Sequence, residues 1–281
     1  MSHEPILEVR DLTATVLRHG TTRTVVEGVG FTLERGRSLG IVGESGAGKS
    51  MLIRSILGVH PVGVTMRVTG SVRLDGHDML ALSARERRRV LATAVGLIHQ
   101  DPLRSLNPTI RVGDQLTEVL TFAGAARRPD RVRRGIDLMR SVGFRAPESE
   151  ARRYPHELSG GQRQRIGIGA AALTEPALLI GDEPTTALDV TVQKRVLDLM
   201  DETRSRTGSS MLLVTHDLGV ASERCDELVV MRDGRIVEAG ITSEVVAAPA
   251  HPYTRALLDS IPRLDGPRLR RLRTPAEGAL S

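Results

Sequence analysis

Eight residues, Gly43-Glu44-Ser45-Gly46-Ala47-Gly48-Lys49-Ser50, constrain this chain more than any other stretch. They follow a five-residue apolar run at 38–42 and lead into a helical pattern at 50–57. A short apolar run, a glycine-rich turn and a helical period in succession predict a buried strand, a tight loop and a helix N-terminus. The spacing is G-x-x-x-x-G-K-[ST]. In such a loop the glycines let the backbone close around phosphate oxygens, and the helix N-terminus adds partial positive charge. A ligand-free turn would explain the glycines but not the lysine, because Lys49 and Lys194 are the only lysines in the chain. Lys49 suits terminal phosphates as a point charge, and the Ser50 hydroxyl suits Mg²⁺. Residues 43–50, with Met51 after them, are the expected nucleoside-triphosphate site.

The surroundings fit a layered α/β fold. Residues 6–16 and 25–33 read as strands around a turn at His19-Gly20. A strand pair near 68–74 turns at Asp75-Gly76, and 85–91 reads as a helix before a strand at 95–99. From Pro102 to about Ala172 the period turns helical, with segments at 112–121, 131–142 and 160–172. Apolar strand-like runs return at 177–180, 211–214 and 227–230, with a helix at 190–206 among them. This alternation predicts a doubly wound parallel sheet with a helical insertion at about 102–172.

Composition excludes several classes. The chain has 281 residues, 40% hydrophobic and 26% charged, the balance of a globular protein rather than a disordered chain or coiled coil. The longest uncharged run, residues 55–66, is 12 residues and holds His60 and Pro61, too short to span a bilayer. The N-terminus lacks the basic-then-apolar pattern of a secretory signal. Cys225 is the only cysteine, so no intramolecular disulfide can form; it is expected as a small core residue in a cytosolic protein. The net charge of +5 sits in two arginine-rich patches, 127–134 and 263–273, so no nucleic-acid partner is expected.

Two further stretches carry chemistry. Ala177-Leu178-Leu179-Ile180 runs into Gly181-Asp182-Glu183-Pro184. A strand ending in adjacent carboxylates places Asp182 at the carboxyl edge of the sheet, within reach of a metal ion. If the chain stays extended, Glu183 points to the other side and is left to polarise an attacking water. Leu158-Ser159-Gly160-Gly161-Gln162 opens an apolar-periodic helix, with Ser159 as a natural N-cap and two glycines that admit close approach.

Together these stretches resemble the nucleotide-binding subunit of ABC transporters over nearly the whole chain. The resemblance implies a P-loop NTPase core with a parallel sheet, an N-terminal antiparallel β subdomain and an inserted α-helical subdomain. Residues 1–262 would form that domain, and 263–281 an Arg/Pro-rich tail. It implies a Walker A loop at 43–50, a Gln loop at Gln100 and a signature at 158–162. A Walker B strand would end in Asp182 with catalytic Glu183 next, followed by a D-loop with Asp189 for communication across a dimer and a switch at His216. Gln100 would touch the metal and the catalytic water, and His216 the γ-phosphate. Two such subunits, paralogous or identical, would sandwich ATP head to tail, so that Ser159 and Gly161 act on ATP held by the partner.

Finer features resemble the oligopeptide/dipeptide/nickel import branch: His99-Gln100-Asp101-Pro102, Leu106-Asn107-Pro108, Tyr154-Pro155-His156-Glu157 and His251-Pro252-Tyr253-Thr254. The branch implies two permease subunits, an external solute-binding protein and a place at the cytoplasmic face of the membrane. The Pro-interrupted stretch at 100–107 is expected to expose Leu103 and Leu106 toward the permease. No cysteine cluster accompanies the tail, so no iron–sulfur site is expected. Peptides, nickel or a metal chelate fit as solute. An ATPase of the carbon–phosphorus lyase complex is the rival outside transport. DNA-repair or ribosome-associated ATPases fit less well, since they usually carry two such units per chain. The family's usual aromatic under the adenine ring is missing from residues 14–24. Val16 stands near its place, and Arg18, His19 or Arg23 are left to cover the base.

Overall fold

The computed structural model describes residues 4–18, 20–60, 63–98, 106–122, 127–185 and 190–260. Thus His99, Gln100, Leu103, Asp189 and the 263–281 tail lie outside the described residues. The N-terminal strands β1 (Leu7–Arg18) and β2 (Thr21–Leu33) pair antiparallel. With β4 (Thr65–Leu74) and β5 (His77–Asp78) they form a four-stranded sheet in the order β2-β1-β4-β5. Its inner face, including Leu7, Val9, Leu12 and Val72, packs into the main core with Ile53 and Ile56 from the helix after the glycine-rich loop.

The second sheet has six strands. It contains β3 (Ser38–Val42), β6 (Val95–Ile98), β7 (Leu178–Asp182), β8 (Ser210–Thr215), β9 (Glu227–Arg232) and β10 (Arg235–Ile241), in the order β10-β9-β3-β8-β7-β6. All pairs are parallel except β9 with β10. All five residues of β3 and all six of β8 are buried, as continuous apolar runs between covered faces require. Register sets where these strands end. Val42 stands opposite Thr215, and Val214 opposite Asp182. Three strands therefore release their next residues side by side at one sheet edge.

Helix α1 (Lys49–Leu57) starts from Gly48, whose left-handed φ of 97° closes the loop onto the helix. Helix α2 (Ala84–Ala94) leads into β6 and is opened by a capping box between Ser83 and Glu86. A helical layer then follows: α3 (Val112–Phe122), α4 (Arg128–Ser141), the short α5 (Pro147–Glu150) and α6 (Gly160–Ala172). It has its own core, including Val112, Leu116, Leu138, Phe144, Leu158 and Ile166. Leu106 belongs to that core and is 7% exposed, which corrects the expectation that it projects outward. The Gln115 side-chain amide brackets the next residue, accepting from Asn107 N at 2.8 Å and donating to Asn107 O at 2.9 Å, and so turns Leu106 inward.

The C-terminal part adds α7 (Val190–Thr207), α8 (Leu218–Arg224), α9 (Thr242–Ala247) and α10 (Pro252–Asp259). Cys225 lies in the core beneath β3 and β9, and burial pushes its thiol up to about 12. No helix among the described residues is long and apolar enough to cross a membrane.

Candidate nucleotide site

The glycine-rich loop emerges from β3 and is pinned from outside. A Cβ on Gly43 would lie 2.2 Å from Met231 O, and one on Gly48 2.6 Å from Val25 O. Only glycine permits this closeness, and at Gly48 the positive φ demands it as well. Gly234 N donates to Ala47 O at 3.0 Å, tying the β9–β10 turn to the loop. Lys49 is buried, with its ammonium donating to Gly43 O at 2.6 Å and Glu44 O at 2.9 Å. Burial pushes its pKa down, and the nearby carboxylates of Glu183, Asp182 and Glu44 oppose that shift.

The acidic pair reaches the same place. Ser50 Oγ donates to Asp182 Oδ1 at 3.1 Å. Glu183 Oε1 lies 3.5 Å from Lys49 Nζ, and its Oε2 lies 3.6 Å from His216 Nδ1. The expectation that Glu183 turns away from Asp182 is therefore corrected. Glu183 has a φ of +48°, so the backbone leaves the extended state directly after the strand. Strand alternation stops applying there, and both carboxylates face the loop. Glu183 N donates to Val214 O at 2.9 Å, which fixes the turn.

The donor set fits a small hard cation. A serine hydroxyl and a carboxylate are adjacent, and no group of three or more His, Cys, Asp or Glu side chains among the described residues forms a cage. Mg²⁺ typically takes one or two protein oxygens and completes its shell with phosphate and water.

A cavity of about 430 Å³ opens beside the loop, lined by Arg23, Thr24, Val25, Ser45, Gly46, Gly48, Lys49, Ser50, Met51, Glu183, Asp233 and Gly234. Val16 does not line it, and the side chains of Arg18 and His19 lie outside the described residues. Among the described side chains, Arg23 is the base-covering candidate that lines the cavity. Asp233 and Gly234 escaped sequence reasoning, although Asp-Gly between alternating apolar residues is a hairpin signal.

None of the signature residues 158–162 lines that cavity. Leu158 anchors the segment in the helical core, and Ser159 caps α6 by accepting from Gln162 N at 3.2 Å. Gln162 Oε1 accepts in return from Ser159 N at 2.9 Å. Gly160 and Gly161 have negative φ, and a Cβ on either would meet nothing within 4 Å. Farther along α6, the buried Gln164 amide donates to Pro184 O at 2.8 Å, linking this helix to the turn beyond Glu183.

Known proteins resemble this chain over most of its length. The ABC transporter family matches residues 26–186, and the "Oligopeptide/dipeptide transporter, C-terminal region" family matches residues 237–280. The oligopeptide transport ATP-binding protein OppD of Bacillus subtilis (strain 168) is 42% identical over 92% of this chain and 73% of its own length. The dipeptide transport ATP-binding protein DppD of the same organism is 40% identical over 93% of this chain and 78% of its own. Among solved structures, cbiO1 from Clostridium perfringens, part of the ABC transporter complex cbiONQ, superposes with a TM-score of 0.72. It is 25% identical and covers 88% of this chain and 92% of its own. An ATP-binding cassette in a dimeric post-hydrolysis state with ADP and Pi also reaches 0.72, at 24% identity over 84% of this chain and 98% of its own. The chain belongs to the ABC transporter ATP-binding family, in the branch that carries the oligopeptide/dipeptide transporter C-terminal region, and it is an ATPase.

Proposed function

We propose that this ATPase drives uptake of peptides, working in a head-to-tail pair at the cytoplasmic face of a membrane beneath two permease subunits. A solute-binding protein outside would deliver the cargo. Peptide as the solute rests on the relatives' names and on the C-terminal family match. No observation favours nickel, a metal chelate or the carbon–phosphorus lyase alternative. Residues 1–262 serve as the nucleotide-binding domain, with the helical layer facing the permease.

The contacts of the described residues support the following roles. The loop from Gly43 to Met51 holds the triphosphate, and Arg23 lies over the base. Ser50 and Asp182, with Gln100, would hold Mg²⁺, which would supply neutralising charge to the terminal phosphates. Lys49 is the switch between states. Before ATP arrives, its ammonium leans on Glu183 and on two loop carbonyls. Phosphate oxygens compete for that ammonium and release the Glu183 carboxylate from it. Glu183 then accepts a proton from the water whose oxygen closes on the γ-phosphorus, as ADP leaves with the bridging oxygen. His216 steadies Glu183 and meets the γ-phosphate.

One observation carries the paired arrangement: the signature stands apart from the chain's own cavity, with open space over Gly160 and Gly161. Ser159 and Gly161 act on ATP held by a second subunit, and Asp189 relays between the two sites. The test mixes Ser159→Arg chain with a wild-type partner in the reconstituted transporter. Ser159→Arg is expected to silence the partner-held ATP while this chain still binds its own. Full hydrolysis at both sites would sink the sandwich.

A further inference from the structure

Tyr253 is one of two tyrosines in the chain and lies in α10, 209 residues beyond the phosphate loop that it touches. It is 3% exposed, and its Oη accepts a hydrogen bond from Glu44 N at 3.0 Å. The other half of that same peptide group is Gly43 O, which accepts from Lys49 Nζ at 2.6 Å. A trans peptide is planar, with its N–H and C=O pointing in opposite directions. A partner that fixes the N–H therefore fixes the aim of the carbonyl.

The tyrosine is itself held in place. His251 Nδ1 accepts from Tyr253 N at 3.1 Å, and Pro252 begins the helix. The Glu238 carboxylate accepts from Ala250 N at 2.7 Å and His251 N at 3.0 Å. The Arg232 guanidinium lies 5.3 Å from the ring centroid. Within His251-Pro252-Tyr253, then, the histidine caps the helix, the proline starts it and the tyrosine reaches the loop.

We infer that Tyr253 is a positioning residue for Lys49, acting through the Gly43–Glu44 peptide, so that the C-terminal segment sets the affinity of the site for triphosphate. The inference rests on the role proposed above for Lys49. Without the hydroxyl, Glu44 N turns to water and the peptide plane loses one of its two fixed directions. The loop then meets ATP less well ordered.

The test uses the full chain with Lys carbons and nitrogens labelled, since only Lys49 and Lys194 contribute side-chain signals. Tyr253→Phe keeps the ring and removes only the oxygen. It is expected to shift the Lys49 resonance, leave Lys194 in place, and raise the ATP Kd roughly fivefold, the worth of one net hydrogen bond. Tm falls by no more than about 4 °C, the loss of that one hydrogen bond. An unmoved Lys49 signal, or an ATP Kd within twofold of wild type, overturns the inference. So does a loss seen with Tyr253→Leu alone, because the ring would then serve only packing. A parallel Lys49→Ala chain separates the two layers. If it binds ATP as wild type does, the role of Lys49 fails; if it loses affinity while Tyr253→Phe does not, only the role of Tyr253 fails.

Discussion

The two glycine-bearing motifs of this chain look alike in sequence and differ in what surrounds them. In the phosphate loop, a Cβ at Gly43 or Gly48 would drive into backbone oxygen at 2.2 or 2.6 Å. In the signature, a Cβ at Gly160 or Gly161 would enter empty space. The first pair is required by the chain's own packing. Among the described residues nothing crowds the second pair, and helix propensity alone would favour alanine there by up to ~1 kcal/mol. Packing within the chain accounts for the first motif; the second is the one proposed to be completed by a partner.

The largest expected effect lies in the self-contained half. Glu183→Gln keeps ATP binding and cuts turnover of the assembled transporter by ~10²–10⁴-fold, the range for loss of a general base. Turnover within tenfold of wild type would remove Glu183 from that role. The contrast itself is tested by two alanines. Gly48→Ala meets both a clash and a left-handed φ of 97°, and should cost about 1–3 kcal/mol, or roughly 3–10 °C in Tm. Gly161→Ala should leave Tm level or slightly raised and still lower turnover once two subunits meet. Equal destabilisation by both would erase the distinction. The smallest effect concerns the base. Among the described residues the cavity is lined by Arg23 and by no aromatic ring, so ATP and GTP should bind within about tenfold of each other. A preference of several hundredfold in a side-by-side titration would reveal a base-reading contact elsewhere.

Much of the site was legible because parallel strands end in register. The runs at 39–42, 177–180 and 211–214 hold no polar side chain, and the residues after each meet at one edge. What was not legible depends on backbone departures and distant partners. Strand alternation misplaced Glu183 because its positive φ breaks the period. Leu106 reads as loop residue in a Pro-interrupted stretch, and only the Gln115 amide, eight residues past Asn107, turns the chain inward. The β9–β10 hairpin and α10 are short, and their ties to the phosphate loop, at Ala47 and Glu44, are visible only in three dimensions.

The placement of Cys225 has a practical consequence. It is the only thiol in the chain, it is 7% exposed, and burial pushes it up to about 12. Near neutral pH its thiolate fraction is on the order of 10⁻⁴ or less, beneath notice for ordinary alkylating dyes. The wild-type chain is therefore already a dark background for fluorophore or spin-label attachment. A cysteine introduced beside the signature, at the exposed Ser141, which lines a cleft with Ser159 and Gly161, can be labelled without first rebuilding the core. In the proposed pair, the approach of the two subunits then becomes a distance that can be followed in real time.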